Sequence, residues 1–311
     1  MALNKLNKTK IICIKHSSIF HHIFANRLIF NRTIYQAYKN IKYVISLIPL
    51  ENDYLFKRWG INSIFIDNPT TFEYDSIIPS DLSNKNIITL GRIKDLSKRF
   101  ELGIKAMVSI IKEIPYCKYN IISEYDRNIQ QLIKDLNLEN NIKIKGFKKD
   151  IKPYLKNSSL HIFPSSVDAY PMVLSETKIF GIPTILCGLD YLALSKGGTV
   201  MIYDDNPETI AKEAIKILKD DEYRKKLGKE ARESMKKYNN KFTVKKWVKL
   251  LFSVYNGIDE VSYNKLFVKY DKRMTEKEAD IILNNQLILL KKRKPQFSNL
   301  TLEQLKNYSF I

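Results

Sequence analysis

Cysteine is scarce in this chain: three in 311 residues, Cys13, Cys117 and Cys187, each isolated in an apolar run. So thin a set excludes a disulfide framework and a paired-cysteine metal site, and it points to a reducing, cytosolic setting. Long apolar runs are missing as well. Ile11 to Ile14 ends at Lys15 and His16, too short for a signal-peptide core, and no other stretch approaches the roughly 20 apolar residues of a spanning helix. No G-x-G-x-x-G turn occurs after Leu90 or anywhere else, which sets aside a dinucleotide-dependent dehydrogenase. Acidic residues are outnumbered, 33 Asp and Glu against 52 Lys and Arg, for a net charge of +19. The lysines are spread over almost every segment and the aromatics fall at core-like positions, so nucleic-acid binding rests on charge alone and is not expected. Some of the charge is left for phosphate groups or acidic lipid headgroups.

What is present is apolar material for real cores, with 44% hydrophobic and 11% aromatic residues. From about Asn84 to Lys219, short β-branched runs alternate with segments of helical period. Strands are expected at Asn86–Leu90, Lys118–Ile122, Asn141–Lys145, Ser159–Phe163, Pro183–Cys187 and Thr199–Tyr203. Helices are expected between them; Phe100, Ile104, Met107, Val108 and Ile111, for example, share one face. Asn206-Pro207-Glu208 opens a further helix. This alternation predicts an α/β fold with a doubly wound parallel sheet, whose ligands bind beyond the carboxyl ends of the strands. Three further strand-like runs, Lys10–Ile14, Tyr43–Ile48 and Ser63–Ile66, are too few for a full second sheet. Leu227–Tyr255 and Tyr263–Leu290 read as helical, the latter ending in the basic run Lys291–Lys294.

Two segments carry chemistry at the expected strand ends. After the Asn86–Leu90 strand, Gly91-Arg92 and then Lys98-Arg99 bring cations to the start of a helix, a setting suited to a diphosphate. After Phe163, the segment Asp168-Ala169-Tyr170-Pro171-Met172 is followed by Glu176 and then by Gly181-Ile-Pro183. Pro171 is pre-set for a first helical turn, leaving the amides around Ala169, Tyr170 and Met172 to face an anion. The plain alternatives are a helix N-cap for Asp168 and a solvated helix position for Glu176.

Taken in this order, the Gly-Arg turn, the lysine, the two acids eight positions apart and the Gly-x-Pro resemble the donor-binding domain of retaining GT-B glycosyltransferases, the group 1 or family 4-like enzymes. The resemblance covers roughly Lys10 to Tyr255. It implies that Arg92 and Lys98 hold the nucleotide diphosphate and offset its growing charge. Glu176 would bind the ribose and Asp168, where the family usually has Glu, the transferred sugar. Gly91 and the turn Ala169, Tyr170, Pro171 and Met172 would approach phosphate and sugar, and Gly146-Phe147-Lys148 would flank the base. His16 matches a histidine that reaches the donor sugar from the amino-terminal domain; His21 and His22 are weaker candidates. Ser123-Glu124-Tyr125-Asp126 stands where the family has a glycine-containing turn.

The resemblance further implies a partial amino-terminal, acceptor-side unit over residues 1–83, a nucleotide-sugar-binding unit over 84–240, and carboxyl-terminal helices over 241–311. The first of those helices crosses back to the amino-terminal part. Val244, Trp247, Val248, Leu251 and Tyr255 are expected to pack in the core. The implied reaction moves a hexose from a nucleotide diphosphate sugar to a glycan or lipid-linked acceptor with retention, needing neither metal nor other cofactor. Implied partners are a second chain completing the amino-terminal unit and peripheral contact with the inner membrane face. The competing expectation is a non-catalytic nucleotide-sugar-binding subunit or remnant.

Overall fold

The expected strands form two parallel sheets in a computed structural model that describes residues 10–24, 28–257 and 273–307. The first has three strands in sequence order, β1 (Ile12–Lys15), β2 (Tyr43–Ser46) and β3 (Ser63–Phe65). The second has six: β4 (Asn86–Leu90), β5 (Lys118–Ile122), β6 (Ile142–Ile144), β7 (Leu160–Phe163), β8 (Thr184–Cys187) and β9 (Thr199–Ile202). Their spatial order is β6-β5-β4-β7-β8-β9, every pairing parallel. The chain thus winds outward in one direction as far as β6, returns to the centre at β7 and winds the other way. A crevice opens where the direction reverses, between the carboxyl ends of β4 and β7.

Side chains along these strands alternate between two cores, which is why the strands read as continuous apolar runs. Ile87, Ile121, Ile162 and Ile185 pack with α4 (Phe100–Glu113) and α8 (Pro207–Lys219). Their neighbours Ile88, Ile122, Phe163 and Leu186 pack on the other side with α7 (Met172–Ile179) and with the amino-terminal residues Phe20, Leu50 and Phe56. Helices α5 (Arg127–Asp135) and α6 (Lys152–Lys156) complete the crossovers. Asn206 caps α8 through a bond from the Glu208 amide at 3.0 Å. Asp126, one of the acids noted after β5, caps α5 by accepting from the amides of Asn128 and Ile129, both at 3.0 Å.

The amino-terminal sheet is pinned by charge as well as by apolar packing. Lys15 Nζ lies 2.9 and 3.0 Å from the two carboxylate oxygens of Glu51, and both residues are buried. Glu51 also accepts from the Ile19 amide, at the start of α1 (Ile19–Phe24), at 2.7 Å, and from Ser46 Oγ at 3.1 Å. Burial pushes the Lys15 ammonium pKa down, and Glu51 opposes that shift. Helix α2 (Leu28–Lys39) and the short α3 (Phe56–Arg58) flank this sheet.

Helix formation over Leu227–Tyr255 is interrupted. Helix α9 (Asp221–Ser234) ends before a 3-10 turn at Lys236–Tyr238, and Asn239 caps a new helix, α10 (Asn240–Asn256). The cause is local: an asparagine side chain accepts from the Lys241 amide at 3.2 Å and resets the backbone. Helix α10 crosses back to the amino-terminal sheet, where Leu250 and Val254 pack on Tyr43, Ile45 and Ile64. Lys246 lies 2.8 Å from buried Asp67, which also accepts from Thr243. The expected core face is reversed: Val244, Val248, Leu251 and Tyr255 are exposed and Trp247 is half-buried. Helical spacing identifies residues that share a face, but Asp67 turns the Thr243–Lys246 face inward instead.

Helix α11 (Glu276–Arg293) and the short α12 (Leu302–Asn307) close the molecule. Residues 263–272 of the expected 263–290 helix lie outside the described residues. Because Glu51 ties β1, β2 and α1 together, Glu51→Ala strands a buried ammonium and should lower the unfolding free energy by about 3–5 kcal/mol. Urea unfolding checks this; a loss under about 1 kcal/mol would show that the pair does not hold the sheet.

Candidate active site at the sheet crossover

Gly91 follows β4 directly, with φ of +152°, a conformation open to glycine, and its amide donates to the Ile122 carbonyl at 3.3 Å. The loop then closes in a 3-10 turn at Leu96–Lys98, capped by Asp95, whose carboxylate accepts from the Ser97 amide at 3.1 Å and from Ser97 Oγ at 2.6 Å. This turn aims Lys98 across the crevice. Its Nζ lies 2.7 Å from Asp168 Oδ2 and 5.6 Å from the centre of the Phe163 ring, with both charged side chains mostly shielded. The β4–β7 adjacency therefore brings two of the expected site residues into an ion pair.

Asp168 is not an N-cap. Its other oxygen accepts from the Ala169 amide at 2.8 Å, so that amide is occupied rather than left open to an anion. Pro171 itself is the N-cap of α7, one position earlier than expected, with no side chain capping the helix start. Helix α7 therefore presents uncapped backbone from Met172 onward. Tyr170 is buried, edge-on to Tyr238 at 6.4 Å between ring centres, and acts in packing.

Glu176 is buried as well, not solvated, and accepts from Thr71 Oγ1 at 2.6 Å. Burial raises its carboxyl pKa and the Thr71 bond partly offsets this. Two residues further, Lys178 faces the other way; its ammonium, pushed down to about 7 by burial, donates to the carbonyls of Lys196 and Gly197 and to Thr199 Oγ1.

The remaining expected residues are more dispersed. Arg92 is exposed, 3.4 Å from Asp95. Phe147 is exposed on the loop after β6, two strands from β4 and hence about 10 Å along the sheet. Gly146 beside it has a φ of +73°. Lys148 lies 6.0 Å from the Tyr154 ring centre. Glu124 accepts weakly from the Lys94 amide at 3.4 Å, bracing the Gly91 loop. His16 is exposed at the end of β1, and His21 is exposed on α1; the His22 side chain lies outside the described residues. His161, absent from the expected site, is buried on β7 and held neutral, with a pKa pushed down to about 3 by burial.

Several contacts that support the site were not legible in the sequence, among them those of Arg99, which was expected to face a diphosphate and instead braces the loop after β7. Arg99, in a left-handed conformation at φ +47°, donates to the Pro164 carbonyl at 2.7 Å and lies 2.5 Å from Asp205. Arg293, in the basic run Lys291–Lys294, reaches both oxygens of Asp205 at 2.9 Å and the Ser166 carbonyl at 3.2 Å. Burial alone would raise the Asp205 pKa, but Arg293 and Arg99 overcome it and hold the carboxyl at about 2. Two cations sharing one acid thus fix Pro164–Ser166, just ahead of Asp168. Tyr191 joins the two units: its hydroxyl donates to the Asp168 carbonyl at 3.0 Å and bonds Ser18, and its ring packs 4.6 Å from Phe20. The loop carrying His16 is thereby connected to the Asp168 turn.

The family model for glycosyl transferases group 1 matches residues 71–234, more than half the chain and all of the crevice between β4 and α7. An uncharacterized glycosyltransferase of Haemophilus influenzae is 24% identical over 252 residues, 76% of this chain and 70% of that protein. The poly(glycerol-phosphate) alpha-glucosyltransferase of Bacillus subtilis is 24% identical over 211 residues, 66% of this chain but only 30% of that protein. Anabaena HepE, solved in complex with UDP and glucose, matches with a TM-score of 0.64 at 16% identity, covering 78% of this chain and 71% of its own. At that identity the likeness is one of fold, the GT-B arrangement of two parallel α/β units.

A carboxyl whose pKa is raised on folding favours the fold below its ordinary value, and that contribution is lost as pH rises through the raised value. Glu176→Gln keeps the acceptor for Thr71 without the buried charge. The variant should be more stable than wild type at pH 8, with the difference vanishing towards pH 4. Thermal unfolding at both pH values checks this; a variant less stable at pH 8 would contradict the burial argument.

Proposed function

The chain belongs to the group 1 glycosyl transferases, and from that premise we propose that it moves a hexose from a nucleotide diphosphate sugar to a glycan or lipid-linked acceptor with retention. The observation that carries this reading is the Lys98–Asp168 pair at the mouth of the crevice, beside the uncapped start of α7. In this structure each charge satisfies the other. A bound diphosphate would draw the Lys98 ammonium onto its oxygens and free Asp168 for a sugar hydroxyl, so one ion pair is exchanged for two productive contacts.

The donor would lie along the strand ends. Glu176 would accept from the ribose hydroxyls, with Thr71 fixing its carboxylate, and the base would extend towards Phe147. HepE holds UDP and glucose on the same fold, which supports a uridine nucleotide as the first donor to try. In the reaction, the bond from the anomeric carbon to the phosphate oxygen breaks while the acceptor oxygen attacks from the same face. The leaving phosphate oxygen takes the acceptor's proton, and Lys98 and Arg92 offset the charge it gains. No separate side-chain base is needed. His16, approached through Ser18 and Tyr191, would contact the sugar from the amino-terminal side.

The acceptor would bind against the three-stranded unit. A second chain completing the amino-terminal unit would add its strands beside β1. The reaction would take place on the cytosolic side, at the inner membrane face when the acceptor is lipid-linked.

Calorimetry with UDP and UDP-glucose should show binding that Lys98→Ala and Glu176→Ala each weaken about tenfold or more, with a smaller effect for exposed Arg92→Ala. In a sugar-transfer assay, Lys98→Ala should lower kcat by about a hundredfold or more. Binding without turnover in wild type would assign a donor-binding subunit. Absence of binding across a panel of nucleotide diphosphates, with the protein folded, would contradict the donor site.

A further inference from the structure

The outward face of α10 is the least explained surface of the molecule. Of the fourteen large apolar side chains exposed among the described residues, five lie on this one helix: Val244, Val248, Leu251, Phe252 and Tyr255, each more than half exposed. At 100° per residue they form one stripe, opposite the buried Thr243, Leu250 and Val254 that face the amino-terminal sheet. Isolated apolar residues on a surface need no explanation, whereas a contiguous stripe along a single helix does.

Charge indicates what covers it. Helix α10 contains no acidic residue and four lysines, Lys241, Lys245, Lys246 and Lys249. Lys246 is turned inward to Asp67, while Lys241 is exposed at the amino end of the apolar stripe, Lys245 is exposed at its edge and Lys249, further round the helix, is half-exposed. At the carboxyl end, Lys10 Nζ donates to the Val254 and Tyr255 carbonyls at 2.6 and 2.7 Å, adding a fifth cation. The stripe is the convex ridge of one helix rather than a groove. Long aliphatic stems, two aromatic rings and a flank of lysines suit a bilayer boundary, where apolar groups enter the acyl region and ammonium groups remain among the phosphates. Among the described residues, no helix is long and apolar enough to cross a membrane.

We infer that α10 docks this protein on an anionic lipid surface, lying in the interface with Val244, Val248, Leu251, Phe252 and Tyr255 inserted and Lys241 and Lys245 on the headgroups. The inference is independent of the donor-site reading, because none of these residues lines the crevice between β4 and β7.

Flotation of the full chain with phosphatidylcholine vesicles, with and without phosphatidylglycerol, tests it. Binding is expected to the mixed vesicles, to weaken with added salt, and to be far weaker to phosphatidylcholine alone. Leu251→Glu with Phe252→Glu, and separately Lys241→Glu with Lys245→Glu, should each lower binding to the mixed vesicles about tenfold or more at unchanged unfolding temperature. If the first pair impairs folding, Phe252→Trp supplies the second readout: its fluorescence should be quenched by brominated lipid. Failure to bind mixed vesicles, binding unmoved by either pair, or an unquenched Trp would overturn the inference. So would a concentration-dependent dimer, lost in the Leu251→Glu and Phe252→Glu protein and formed without vesicle binding, which would make a second copy the occupant.

Discussion

Lys98 and Asp168 are 70 positions apart in the chain and 2.7 Å apart in the fold. Only a reversal of winding direction accomplishes this. Strands β4 and β7 are neighbours although two strands and three helices separate them in sequence, so the loops leaving their carboxyl ends face each other across an open crevice. Had the strands been laid down in simple sequence order, β4 would be an edge strand beside β5 alone and the loop carrying Asp168 would not reach Lys98. The ion pair is thus a direct consequence of topology, and the proposed chemistry depends on its being exchangeable. Partial shielding strengthens it above an exposed surface pair, yet it remains open enough for a competing phosphate.

The rest of the structure holds that pair in position. On one side, Arg99 and Arg293 share Asp205 and secure the carbonyls of Pro164 through Ser166, so the turn before Asp168 is set by helices at both ends of the carboxyl-terminal unit. On the other, Tyr191 connects the Asp168 backbone to Ser18 at the head of α1, whose position depends in turn on Glu51 and Lys15. The amino-terminal sheet is therefore mechanically continuous with the crevice. Shielded charge recurs at Asp205 and at Glu51, and each is satisfied by several partners, the condition under which such pairs hold geometry.

Much of this was legible in the sequence. Apolar runs of four or five residues separated by amphipathic segments located all nine strands among the described residues to within a residue or two, because buried strands leave a dense local signal. Asp168, Glu176, Lys98 and Gly91 were singled out by the resemblance that their order along the chain carries, and of these the fold brings Lys98 and Asp168 into an ion pair. What escaped was non-local. Arg293 was read only as part of a basic run because its acid, Asp205, lies 88 positions away. The exposed stripe of α10 was expected to be core because spacing cannot tell which of two faces meets a sheet; the choice was made by Asp67, 179 positions from Lys246. Tyr191 and Thr71 carry no motif, and only the fold brings them to Asp168 and Glu176.

The most direct test of the central claim is a crystal structure of the chain with UDP bound. The expected result is the diphosphate between the Gly91–Lys98 loop and the start of α7, with Lys98 Nζ moved off Asp168 onto a phosphate oxygen and the ribose within hydrogen-bond reach of Glu176. A diphosphate bound elsewhere, with Lys98 still paired to Asp168, would contradict the account.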